Sequence, residues 1–127
     1  MNGPERAIAR EIPIESLADW RGQTVLDHEG DKLGTLEHIF YDVELDEPAF
    51  VAIKSGTLGK RLTLVPLVGS SAGRTYLRVA GSKAGFKDAP SFPTDAELTA
   101  EGEEQIYSYF KLEYAPAGQG ARRLARR

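Results

Sequence analysis

Gln23-Thr-Val-Leu-Asp-His-Glu-Gly-Asp-Lys-Leu-Gly-Thr-Leu-Glu-His-Ile-Phe-Tyr-Asp-Val-Glu44 reads as two β-strands joined by an acidic, glycine-containing turn. The first strand, 24–27, is short. Its turn, Asp27-His-Glu-Gly-Asp31, combines carboxylates that bond local amides with Gly30, which tolerates positive φ. The second strand, 33–44, is long and mostly apolar but does not keep a period of two. Leu33, Leu36, Ile39, Tyr41 and Val43 change phase between Leu36 and Ile39. A β-bulge near Glu37 or His38 restores the phase and bends the strand, as closure into a small barrel requires.

Working outward, Asp46-Glu-Pro48 makes the next turn, and strand 49–55 points Val51 and Ile53 to one side. A loop at 56–60 leads into strand 61–67, where Pro66 lacks an amide donor and marks a strand end or an edge. Small residues at 68–73 turn the chain into strand 74–79, with Thr75, Leu77 and Val79 inward and Arg74, Tyr76 and Arg78 outward. Five strands at this spacing are typical of hairpin-connected all-β folds. The fold class expected is therefore mainly β: a small barrel or roll of five to six strands with a C-terminal α-helix.

The flanks differ in character. Residues 1–14 are polar and interrupted by Gly3, Pro4 and Pro13, and read as a flexible lead. A helical turn is expected at 14–19, with Ser16 to cap it, and Trp20 is expected to plug one end of the core. After the barrel (15–80), residues 81–97 read as a connector, with one helical turn at 82–87 and an extended stretch at 88–93. Residues 98–112 form the helix, with Thr99 as N-cap and Glu101, Glu103 and Glu104 near its positive end. Leu98, Gly102, Ile106 and Phe110 fall four apart, with Tyr109 adjoining, as a narrow apolar stripe. Gly102 costs such a helix roughly 1 kcal/mol against alanine, so docking must supply its stability. Residues 113–127 read as a disordered basic tail.

The chain of 127 residues is large enough for one modest core. Its 41% hydrophobic and 28% charged content is that of an ordinary soluble domain. No apolar run approaches the ~20 residues of a membrane helix, so no integral membrane segment is expected. Zero cysteines exclude disulfides and thiolate metal sites and suit a cytoplasmic location. The net charge of −3 hides an asymmetry: Lys111, Arg122, Arg123, Arg126 and Arg127 against Glu113 give residues 111–127 a net +4, leaving −7 for the rest. Any polyanion contact is expected from the tail.

Several of these residues resemble the PRC-barrel family, which includes the photosynthetic reaction centre H subunit and bacterial ribosome-maturation factors. The likeness begins at Trp20-Arg-Gly-Gln-Thr-Val25, continues through the Asp/Gly turn and Lys32-Leu-Gly34, and reaches Asp42. It goes on at Glu47-Pro48, Val65-Pro-Leu67 and Lys87-Asp-Ala-Pro90. Leu98-Thr99, Glu103-Glu104, Ile106-Tyr107 and Phe110 look like the stand-alone actinobacterial-type proteins, whose barrel precedes a helix with spaced aromatics. The resemblance spans about residues 15–112 and implies an assembly or interaction module with no catalytic residues to carry over. It also makes self-association a reasonable expectation.

Candidate chemistry is sparse. His28, in a turn with Asp27, Glu29 and Asp31, suggests at most weak cation attraction, while His38 reads as a hydrogen-bonded structural histidine. Asp42, Glu44 and Asp46 alternate like a calcium loop, but Glu47 stands where its glycine belongs and Ile53 where its closing glutamate belongs, which leaves a solvated strand end. Gly56-Thr-Leu-Gly-Lys60 lacks the phosphate-loop spacing and joins two strands. Arg74, Tyr76 and Arg78 form a candidate interaction face, with Lys54, Lys60 and Arg61 as possible neighbours. Such a face could follow an RNA backbone, or it could be Arg stems packed over Tyr76. Arg122, Arg123, Arg126 and Arg127 could engage RNA or an anionic surface. No nucleophile, base and orienting group share a recognisable pattern. The expectation is a non-enzyme with no cofactor and no metal, serving an unidentified protein partner or a homodimer, with an RNA- or ribosome-associated factor as the alternative.

Overall fold

The computed structural model describes residues 6–7, 20–44, 46–112 and 124–126. The strands are β1 (Arg6–Ala7), β2 (Thr24–Leu26), β3 (Lys32–Asp42), β4 (Glu47–Ser55), β5 (Arg61–Pro66), β6 (Ser71–Ala72), β7 (Tyr76–Arg78), β8 (Ser91–Pro93) and β9 (Leu124–Arg126). The helices are α1 (Lys83–Lys87) and α2 (Ala100–Tyr109), and a 3-10 turn at Thr57–Gly59 joins β4 to β5. Mainly β is therefore the observed class: one mixed sheet in the order β1-β6-β7-β2-β3-β4-β5-β8, with β9 added on β3.

β3 organises the molecule because it bends. Leu36 pairs with Ile53 while His38 pairs with Ala52, so Glu37 is the extra residue of a bulge where the sequence phase breaks. A second irregularity follows between Phe40 and Tyr41. The bend lets the first half of β3 pair with β2 through Thr24↔Thr35 and Val25↔Gly34, while its last residues, 40–42, turn away from β2 and receive β9. β2 also pairs with β7 in parallel, which a chain of hairpins alone does not provide. The turn after β2 is held by Gly30, at φ 91, the left-handed region where a side chain is strained.

The interior differs from the expected single core. On one face of the sheet Val25, Leu36, Ile39, Tyr41, Val51, Ile53, Val65 and Leu77 form the barrel's inside, with half-buried Trp20 packed against it. On the other face Phe40, Phe50, Ala52, Leu62 and Leu64 meet Leu98, Ile106 and Tyr107, so α2 packs on its own barrel. The two clusters lie back to back across β3, β4 and β5. A sheet buried on both faces needs continuous apolar runs rather than alternation, which explains Ile39-Phe-Tyr41, Phe50-Val-Ala-Ile53 and Leu62-Thr-Leu-Val65.

The helical turn expected at 82–87 is α1, capped by Ser82 Oγ accepting from the Gly85 N–H at 3.1 Å, and the extended stretch at 88–93 contains β8, which is fastened to β5 by Arg61 Nε donating to Ser91 Oγ at 2.7 Å. The 68–73 turn contains β6. Arg6–Ala7, within the expected lead, pair with β6, and the rest of that lead and the 14–19 helical turn lie outside the described residues. Thr99 caps α2, its Oγ1 accepting from the Gly102 N–H at 3.0 Å. The expected stripe is buried at Leu98 and Ile106 and half buried at Phe110, Glu103 and Tyr107 are buried beside it, and Tyr109 is left at the surface. Thr75 is exposed rather than inward, because β7 is regular only from Tyr76 to Arg78. Val43 lies beyond the end of β3 and is half exposed.

Candidate functional site

Asp27, at the end of β2, is buried, and its Oδ1 accepts from the N–H groups of Glu29 at 2.9 Å and Asp31 at 2.8 Å. Its Oδ2 accepts from the Lys83 N–H at 2.9 Å, which ties the hairpin turn to α1. Burial pushes this carboxyl up, but donation by the Lys83, Asp31 and Glu29 amides and the nearby His28 outweigh it and hold its pKa below the ordinary value of 3.8. Asp27 is thus a backbone clamp rather than a cation ligand. His28 is half exposed, with Nε2 3.4 Å from Glu29. Among the described residues no group of three His, Asp or Glu side chains is placed to hold a metal ion.

Asp42 is likewise buried rather than solvated. Its Oδ1 accepts from the Glu44 N–H at 2.9 Å and its carbonyl from the Asp46 N–H at 2.8 Å, which builds the turn that led the sequence to resemble a calcium loop. His38 sits at the bulge, half buried. The 56–60 loop is a strand-to-strand connection with Leu58 at its tip, 85% exposed.

The expected Arg74, Tyr76 and Arg78 face is only partly assembled. Arg78 lies over the Tyr76 ring, 5.6 Å from its centroid, and donates to the Asp27 carbonyl at 3.5 Å. Both are half buried, whereas Arg74 precedes β7 and is exposed. The guanidinium therefore packs over the 27–31 turn, which is the arrangement of a stem covering an aromatic. Lys54, Lys60 and Arg61 do not join this face: they belong to the β4–β5 hairpin, separated from β7 by β2 and β3. Lys54 faces Glu37 at 3.6 Å, and Arg61 is bonded to Ser91. Arg122, Arg123 and Arg127 lie outside the described residues. Arg126 ends β9 opposite Phe40, so the basic tail is ordered as a strand at Leu124–Arg126.

Two concave regions at the barrel's ends border these residues. One, about 790 Å³, lies between the 27–31 turn, the β4–β5 end and α1, and its charged lining mixes Glu29 and Asp31 with Lys54, Lys83 and Lys87. Opposite charges so interspersed favour no single ligand sign. The other, about 390 Å³, opens where the barrel meets the end of α2, between Pro66, Val68, Phe86, Tyr109, Phe110 and Leu112. Its floor is an aromatic ladder: Phe86 lies 5.7 Å from Phe110, and Phe110 stands edge-on to Tyr109 at 5.0 Å. The Tyr109 hydroxyl donates to the Gly85 carbonyl, which fixes the ring. Val68, 67% exposed, stands on the rim. A preset aromatic floor beside an exposed aliphatic knob is suited to apolar docking. The sequence reading missed this groove because its halves are some forty residues apart and meet only through folding; the exposed Val68 in a small-residue turn was the available signal.

Compared with known families, residues 13–85 match the model of the PRC-barrel domain. No curated protein matches the chain.

Proposed function

The chain belongs to the PRC-barrel domain family, and on that premise we propose that it is a non-catalytic interaction module that pairs with a second copy of itself through the groove at Val68 and Tyr109. The observation that carries this reading is the aromatic groove, left open among the described residues, with an apolar knob on its own rim. In a two-fold contact the same patch serves both partners, so the Val68 of each copy can enter the groove of the other. Most of the groove's lining lies within the matched span, and Tyr109, Phe110 and Leu112 join it from the end of α2 and just beyond. That use of a helix with aromatics after the barrel supports placing the chain with the stand-alone actinobacterial type. The non-catalytic reading rests on Asp27, Asp42 and Glu103, buried carboxylates that accept backbone N–H groups rather than facing a reactant.

Light scattering over a concentration series tests the proposal. A dimer that Val68→Asp converts to a monomer, with an unchanged circular dichroism spectrum, is the expected result. A wild-type chain monomeric at every concentration ends it. The RNA-associated reading gains no support from Arg78, which is engaged with Tyr76 and the Asp27 carbonyl.

A further inference from the structure

The outer edge of β3 at residues 40–42 is left by β2 at the bulge, and an uncovered strand edge there would expose unpaired donors and acceptors. The chain covers it with three residues from its far end, in the register Phe40↔Arg126, Tyr41↔Ala125 and Asp42↔Leu124. Leu124 is buried among the second-core residues Phe40, Leu98 and Ile106. Its N–H donates to Glu103 Oε2 at 2.7 Å, and Glu103 is 0% exposed. A carboxylate buried in an apolar layer is costly without donors. This donor comes from a residue 21 positions further along the chain, beyond Pro116, Gly118 and Gly120 in the sequence. Beside Ala125 a cavity of about 420 Å³ opens, rimmed by the exposed carboxylates Asp95 and Glu97. The site thus offers a strand edge, a leucine pocket, a buried acceptor for one backbone N–H and, beside Ala125, an acidic rim whose charge complements the arginines of the C-terminal sequence.

We propose that the body of this protein is a receptor for an extended, leucine-bearing basic peptide, that its site is the β3 edge over Glu103, and that the chain's own C-terminal strand is the ligand it holds. Recognition is by strand addition: main-chain bonds align the peptide, the leucine pocket fixes its register, and Glu103 reads the N–H at that leucine.

The test uses the full chain carrying Leu124→Asp, which empties the pocket by placing a charge in it, titrated with a synthetic peptide of residues 119–127 and followed by amide NMR. Saturable shifts at Phe40–Asp42 are expected, with none from a scrambled peptide of equal composition. Adding Glu103→Ala is expected to weaken binding about tenfold or more, since the bond it removes has a charged acceptor. Absence of shifts at these amides overturns the proposal, as do equal shifts from the scrambled peptide, which signify charge attraction alone. If Leu124→Asp does not fold, Ala125→Pro, which blocks strand pairing, takes its place in the same titration. The readout is independent of the Val68 groove, so this proposal and the dimer fail separately.

Discussion

Among the described residues three carboxylates lie out of solvent, and each receives backbone N–H groups: Asp27 from Glu29, Asp31 and Lys83, Asp42 from Glu44, and Glu103 from Leu124. The lowered pKa of Asp27 means that its folded value lies beneath its unfolded one, so its stabilisation is present above the ordinary value of 3.8 and fades as pH falls through the folded value. Asp27→Asn is therefore expected to lower the urea midpoint at neutral pH, and the gap to wild type is expected to narrow on acidification. Parallel denaturation curves across pH measure it; a gap that is constant down through that range would contradict the clamp. Gly81 supplies a second case at this scale. A Cβ there would meet the Phe86 ring at 2.6 Å, so Gly81→Ala overpacks the first core and is expected to cost about 1–3 kcal/mol in equilibrium unfolding. Asp27 was legible as a turn residue and Gly81 as a boundary. The reach of Asp27 to Lys83 and the nearness of Phe86 were not, since both depend on α1 folding back over the turn.

Within single elements, the consequences of a two-faced sheet are sharp. On β5, Leu64 and Val65 are both fully buried, yet they belong to different clusters. Leu64→Ala is expected to destabilise by about 2–5 kcal/mol and Val65→Ala by more than about 1 kcal/mol. A strand with one solvated face would show only one of the two losses, so thermal or urea unfolding of the pair discriminates. The bulge at Glu37 was readable because the apolar phase breaks between Leu36 and Ile39. The facing of α2 was not. Spacing set Tyr109 beside the stripe, but the side chains buried beside Ile106 are Glu103, which accepts from the Leu124 amide, and Tyr107, whose ring meets Phe50 edge-on at 5.3 Å. A charged residue is read as surface unless its partner is known, and this partner is far along the chain.

At the scale of the molecule, α2 and β9 complete the fold. Without them and the Leu98 that leads into α2, Phe40, Phe50, Leu62 and Leu64 lose most of their cover, because Leu98, Ile106, Tyr107 and Leu124 are the buried members of that cluster that lie outside the sheet's β3, β4 and β5. A chain ending at Glu97 is expected to bind a hydrophobic dye and to lose a sharp thermal transition; a soluble fragment with wild-type cooperativity would show that the barrel's outer face tolerates water. Among the described residues no helix is long and apolar enough to cross a membrane.

Sequence alone determined the local grammar: the Asp27–Asp31 turn, the bulged long strand, the β4–β5 hairpin and the Thr99 cap. Each is fixed by residues within a few positions of one another, where backbone sterics and short hydrogen bonds dominate. Tertiary structure decided which faces those elements bury, that the sheet has apolar layers on both sides, and that the basic tail returns to close the edge of β3. Burial energy depends on what a face meets rather than on its own pattern, so Glu103, Leu124 and the Val68 groove acquire their roles only when distant segments are brought together.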